Sequence, residues 1–470
     1  VRTARMVISL RVSVPVLSEQ ITEAEPSVST EERFFTIALR RLMAVTPRER
    51  TTDRMAGSPS GTAATLEGGS CNAALTQDPW EFPAPLSAGY GPGASQDDAA
   101  PAGSPAQPTI PQRYRDASPE ELDAMITAAK KTLGERAVVM GHFYQRDEVV
   151  NHADFIGDSF QLAQQAKAHP EAEAIVFCGV HFMAEVADIV TGGSRSVILP
   201  DLAAGCSMAD MANLIKVRRC WSELSEVLDP DEMVTPVTYI NSAADLKGFC
   251  GEHGGIVCTS SNARAVLEWS FARREKVLFF PDQHLGRYTA FNMGIPLDEM
   301  VVWDFSKPLG GTTPEQIRKA KMILWKGFCS VHQMFKPQHI EQYRARVPNG
   351  QVISHPENAF EVCEQSDFVG STEYILRTVR ASAAGSHWLV GTELNLVNRL
   401  AEEMKPQGVT VEFMSPTVCM CSTMFRTDPQ HLAWCLDNLV SGQVVNRIRV
   451  PEAVATPARL ALDLMLEVVD

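Results

Sequence analysis

Residues 174–201 read AIVFCGVHFMAEVADIVTGGSRSVILPD. Two short apolar runs rich in Val and Ile, AIVFCG and SVILPD, flank a segment of helical length. Runs this short, separated by helices, read as parallel strands covered on both faces. The same texture extends in both directions. It includes AVVMGH at 137–142 upstream and VTPVTYI, GIVCTS, KVLFFPD, MILWKGF, QVISHP, DFVGS, HWLVGT and VTVEFM between 234 and 414. A strongly twisted open sheet rarely exceeds about ten strands, so several small sheets are expected rather than one large one. The fold class is α/β. Ligands in such folds bind beyond the carboxyl ends of the strands, so function is sought in the loops there.

The ordered region is expected to begin near Ser118. SPEELDAMITAAKKTL has Ser118 as a helix cap, Pro119 at the first helical position and Glu121 placed for a capping box. Residues 1–110 carry one plausible helix, Glu31 to Met43, and a tract such as GYGPGASQDDAAPAGSPAQP. That tract has too little apolar surface to offset its chain entropy, so a mostly disordered extension is expected. Its glycines make no nucleotide loop, because no strand leads into them and no helix follows.

The chain has 470 residues, enough for about three domains by length. A formal net charge of −15 argues against nucleic acid as a partner. No apolar run is long enough to span a membrane. The opening VRTARMVISLRVSVPVL has arginines without acids, as transit peptides do, but EAEP and TEER follow soon after. Eleven cysteines are an odd number and too few for a disulfide scaffold of this size. Reduced thiols and a cytoplasmic location are therefore expected.

Polar residues spaced i, i+2 recur at the strand ends: His142 and Tyr144, Tyr239 and Asn241, Ser260 and Asn262, His355 and Glu357. In extended chain that spacing puts both side chains on one face, although polar residues also follow strands simply to solvate loops. Two helix starts, with Ser159 in GDSFQLA and with Ser371 and Thr372 in GSTEYI, offer either anion binding or plain capping.

The cysteines divide in a similar way. Cys206 follows SVILPD, Cys329 ends MILWKGF, and Cys421 follows VTVEFM. Three such thiolates could converge on zinc with an open position, or on an iron–sulfur cube with one iron left free. Cys178, Cys220, Cys250, Cys258, Cys363 and Cys435 sit in apolar or helical patterns and read as small core residues, and Cys71 lies in the low-complexity tract. Cys419 stands one residue from Cys421. A bond between those two is awkward, because disulfides prefer a Cα separation of about 5.5 Å.

GHFYQRDEVVNHADFIGDSFQLA, FCGVHFMAE, PDLAAGCSMAD, YINSAADLKGFC, VCTSSNA, FFPDQHLG, GFCSVHQMF, SHPE, VGST and VGTELN, in this order, closely resemble the quinolinate synthase family over about 118–440. The resemblance implies three similar small α/β domains with parallel sheets around a central site, here bounded at 111–222, 223–336 and 337–470, the last with a C-terminal helix. It also implies condensation of iminoaspartate with dihydroxyacetone phosphate to quinolinate, for NAD biosynthesis, with loss of phosphate and water. An L-aspartate oxidase would supply the iminoaspartate.

A 4Fe-4S cluster is implied on Cys206, Cys329 and Cys421, with Cys419 as a neighbour of no assigned role. His142, Ser159, Asn241, Ser260, His355, Ser371 and Thr372 are implied to bind substrate, and Tyr144, Tyr239 and Glu357 to move protons. Asn358 and Val186 depart from the family pattern, where cysteine and threonine are common. Two rivals use the same cysteines: a zinc hydrolase, and an oxygen or iron sensor.

Overall fold

The structure, a computed structural model, describes residues 109–417 and 420–468. The extension expected over 1–110, including the helix at 31–43, lies outside the described residues except for its last two positions, and so does Cys419.

Three sheets carry the fold. The first contains β1 (Ala137–His142), β2 (Phe155–Gly157), β3 (Ala174–Cys178) and β4 (Ser196–Ile198). The second contains β5 (Val234–Tyr239), β6 (Ile256–Cys258), β7 (Lys276–Phe280), β8 (Met300–Trp303) and β9 (Met322–Trp325). The third contains β10 (Gln351–Ser354), β11 (Phe368–Val369), β12 (His387–Gly391) and β13 (Thr410–Phe413). Each apolar run singled out in the sequence is a strand. β2 and β8 were not singled out: the first is only three residues long, and the second, MVVW, is an apolar run of strand length that the sequence reading passed over.

The three sheets share one plan. Their orders are β4-β3-β1-β2, β6-β5-β7-β9-β8 and β11-β10-β12-β13, and every pairing among these strands is parallel. In each, the first strand lies between the second and the third, and the last of these strands in sequence lies beyond the third. Chain entering such a sheet leaves every strand at the same edge, so the loops after the strands gather on one side. The inner strands are buried on both faces, as in β3, β5, β7 and β9, because helices cover both sides. The helix His181–Val190 shows how complete that cover is, with every residue from Phe182 to Ile189 buried.

The helix Pro119–Leu133 begins as its sequence predicts. Ser118 accepts the Glu121 N–H, and the Glu121 carboxylate accepts the Ser118 N–H.

After the third sheet the chain returns to the other two. The helix Pro429–Val440 packs Leu432, Trp434 and Leu436 into the core that holds Ile126 and Leu133. β14 (Arg447–Ile448) then pairs antiparallel with β4. The last helix, Glu452–Glu467, lies on the helix Ala244–Glu252 and shares its core. The approach there is close, since a Cβ at Gly251 would stand 1.9 Å from the Pro457 carbonyl oxygen, so only glycine serves. Among the described residues, no helix is long and apolar enough to cross a membrane.

Candidate active site

Loops from all three sheets line one cavity. The shared plan repeats in what they contribute. After the first strand of each sheet come His142 and Tyr144, Tyr239 and Asn241, and His355 and Glu357. After the second strand come Asp158 and Ser159, Thr259 and Ser260, and Thr372. After β4, β9 and β13, the last parallel strands of the three sheets, come Cys206, Cys329 and Cys421. No lysine or arginine is among the described lining residues, so an anion entering here meets neutral donors.

The structure brings every sequence-predicted site residue to this cavity except Ser371. Ser371 caps the helix Thr372–Arg380, where its hydroxyl accepts the Tyr374 N–H. Asp158 plays the same part in the first unit, accepting the N–H groups of Phe160 and Gln161. At both helix starts the residue after the cap, Ser159 or Thr372, also faces the cavity. The expected pairing of Ser260 with Asn262 also divides. The chain turns at Thr259 instead of staying extended, so Asn262 faces away from the cavity lining. Its side chain accepts the Thr259 N–H and donates to the carbonyls of Met465 and Val468, tying the Ser260 loop to the end of the last helix.

The two histidines after first strands are held alike. Nδ1 of His142 accepts the Tyr144 N–H at 3.1 Å, and Nδ1 of His355 accepts the Glu357 N–H at 3.3 Å. In a neutral ring the proton then sits on Nε2, which each histidine can offer as a donor. Burial holds both rings far below the usual imidazole range, at about 3, so both are neutral near pH 7. The Asn358 amide donates to the carbonyls of His355 and Gly391, fixing the second of these turns.

Glu357 is the charged centre. Burial pushes its carboxyl up, but His332, His355 and the Tyr239 hydroxyl together outweigh that and hold it at about 2. The Tyr239 hydroxyl donates to Glu357 Oε1 at 2.7 Å. Tyr144 instead bonds the hydroxyls of Thr372, 3.1 Å away, and Thr392, 2.8 Å away. Burial, with Glu357 second, raises both phenols well above their ordinary range, so they remain protonated donors. Asn241 Oδ1 is buried without a hydrogen-bond partner.

Sequence reasoning passed over His332 and Glu393, which also line the cavity. Both lie inside motifs quoted for the family resemblance, His332 three positions after Cys329 and Glu393 beyond β12 in VGTELN, but neither was given a role. Burial lifts the Glu393 carboxyl to about 7, although it accepts N–H groups from Asn395, Leu396 and Cys421.

The three loop cysteines are free thiols, as are the six read as core residues, each of which is buried. Burial raises all three loop thiols, and Cys421 adds to the rise at both Cys206 and Cys329. Three converging thiols in a buried pocket oppose one another's ionisation, and a cationic iron–sulfur or metal group would reverse that cost. The donor set therefore fits such a group. A second set overlaps it: ligand atoms of Cys329, His332 and Glu357 lie within 4.8 Å of one another.

The family model for Quinolinate synthetase A protein matches residues 124–467. The quinolinate synthase of Corynebacterium glutamicum is 57% identical over 380 residues, spanning 81% of this chain and 96% of that protein. The quinolinate synthase of Herpetosiphon aurantiacus is 54% identical over 357 residues, spanning 76% of this chain and 94% of its own. That of Acidobacterium capsulatum is 54% identical over 347 residues, spanning 74% and 93%.

Proposed function

The chain belongs to the quinolinate synthase family, and from that premise we propose that it condenses iminoaspartate with dihydroxyacetone phosphate on a 4Fe-4S cluster held by Cys206, Cys329 and Cys421. The observation that carries the proposal is the delivery of one cysteine and one set of polar donors by each of three sheets to a single cavity. When bound through three thiolates, the cluster leaves one iron a free position and supplies Lewis acidity there.

The protein's own groups divide the remaining work. Nε2–H of His142 and His355, with the hydroxyls of Ser159, Ser260 and Thr372 and the Asn241 amide, binds the substrate carboxylates and phosphate as neutral donors. Ser371 acts behind Thr372 by capping its helix. Glu357, anionic and bonded to the Tyr239 hydroxyl, accepts and returns protons as the ring forms. Tyr144 keeps a phenolic proton at the opposite turn. The apolar walls, Phe182 and Met183 among them, exclude water from these transfers.

Division at 111–222, 223–336 and 337–470 is proposed on the three sheets, with the segment after Asp428 strapping back over the first two. A cytoplasmic location and supply of iminoaspartate by an L-aspartate oxidase complete the proposal.

The test is iron and sulfide analysis of anaerobically purified protein, together with quinolinate formation. Cys206→Ser, Cys329→Ser and Cys421→Ser should each abolish the brown colour and the activity, while Cys419→Ser retains most of the cluster. Zinc without sulfide would favour the hydrolase rival, and a cluster without quinolinate formation the sensor. Deleting residues 1–110 should leave turnover per cluster nearly intact.

A further inference from the structure

The second donor set differs in kind from the three thiols. His332 Nδ1 stands 3.1 Å from Glu357 Oε2, so imidazole and carboxylate face each other, and no hydrogen bond of good geometry engages that buried nitrogen. The other ring nitrogen, Nε2, lies 3.4 Å from Thr392 Oγ1, a contact that orients the ring in the way metal-binding histidines are commonly held. His332 is 2% exposed and Glu357 4%, and a ligand atom of each lies within 4.8 Å of the Cys329 thiol. Thiolate, imidazole and carboxylate are the donor types that Zn²⁺ takes, three of them leaving a fourth position for water.

Charge favours this set over the three thiols for a lone dication. Zn²⁺ on one thiolate, one carboxylate and a neutral imidazole is net neutral. On three thiolates it would carry a negative charge, in a cavity with no lysine or arginine among its described lining residues.

We infer that the chain lacking its iron–sulfur cluster binds one Zn²⁺ on Cys329, His332 and Glu357, and that this ion blocks cluster assembly by occupying the shared ligand Cys329. The cation site rests on the geometry just given, whereas the competition rests also on the cluster reading above. Binding exchanges the Cys329 thiol proton for the metal and releases it to solvent, and no electron moves. Zinc held there also withdraws Glu357 from any proton transfer.

Co²⁺ is the probe, titrated into the full-length reduced chain after a chelator has removed iron, with circular dichroism to verify folding. The expected result is one Co²⁺ per chain, displaced by Zn²⁺, with a thiolate-to-cobalt charge-transfer band of one sulfur rather than three. The Cys206→Ser/Cys421→Ser double variant should retain this binding, while His332→Ala and Glu357→Gln each weaken it by at least the ~10²-fold that loss of a supporting group can cause. Zn²⁺-loaded parent should rebuild its cluster from iron and sulfide about tenfold more slowly than metal-free parent, and His332→Ala should not be slowed. A three-sulfur band, loss of binding in the double variant, or no uptake by folded chain would overturn the inference. One-sulfur Co²⁺ binding by a parent that assembles no cluster would sink the cluster reading alone.

Discussion

The turns after β1 and β10 are built alike and equipped differently. In each a buried histidine stands at the strand's end, His142 as its last residue and His355 just after it, and its Nδ1 accepts the backbone N–H two residues on. The residue making that N–H is Tyr144 in the first sheet and Glu357 in the third. Tyr144 reaches across to hydroxyls of the third unit, and the Asn395 amide of the same unit donates to its carbonyl. Glu357 meets Tyr239 of the second unit and His332. One backbone hook thus presents a neutral proton donor at one turn and a carboxylate at the other. Shared topology sets where a residue stands, and its chemistry is set by what the neighbouring unit places beside it.

The largest effect should separate these two positions. Glu357→Gln keeps the shape and should lower quinolinate turnover, normalised to iron, by roughly 10² to 10⁴. Tyr144→Phe should sit at the lower end of that span, about 10². A Tyr144→Phe loss equal to or above that of Glu357→Gln would break the comparison.

The histidines should instead behave as twins. His142→Ala and His355→Ala should each raise KM by about 10- to 100-fold, the loss of one hydrogen bond to a charged group. Both rings are depressed in the folded protein from 6.5 to about 3. Between those values the unfolded chain binds protons that the folded chain refuses, so stability is full above about pH 6.5 and falls as pH drops towards 3. Replacing either by asparagine should make urea stability less steep across that window. An unchanged slope would show that the rings are not buried neutral.

Smaller effects test the loops behind the turns. Asn262→Ala leaves the carbonyls of Met465 and Val468 and the Thr259 N–H without their partner, and should cost about 1–3 kcal/mol in urea unfolding. Ser371→Ala should be the mildest, about 1 kcal/mol from the lost cap. KM should stay within about threefold of the parent, since a cap of this kind supports the helix and leaves bound substrate untouched. A large KM change would return Ser371 to the binding surface and end its equivalence with Asp158.

Much of the molecule was legible in the sequence because its signals are local. Val- and Ile-rich runs of strand length report strands buried on both faces, and Ser118, Pro119 and Glu121 write a helix start that needs no distant partner. The polar pairs stand directly after such runs and the three cysteines in the loops that follow them, so their position beyond strand ends could be read without coordinates.

What escaped depends on which residues become neighbours. Ser371 and Ser159 occur in similar strings, yet one caps its helix while the other lines the cavity behind an aspartate that does the capping. Asn262 faces the last helix because the chain turns at Thr259. Glu357 is anionic, and His142 and His355 neutral, because burial and facing groups from other sheets decide each proton's cost. The sequence by itself determined most of the strands, the start of the helix after Ser118 and the residue types offered at each strand end, since these follow from propensity and spacing. Which of those residues share a cavity, and in what charge state, only the tertiary structure decided, because desolvation and Coulomb energies depend on distances between segments far apart in the chain.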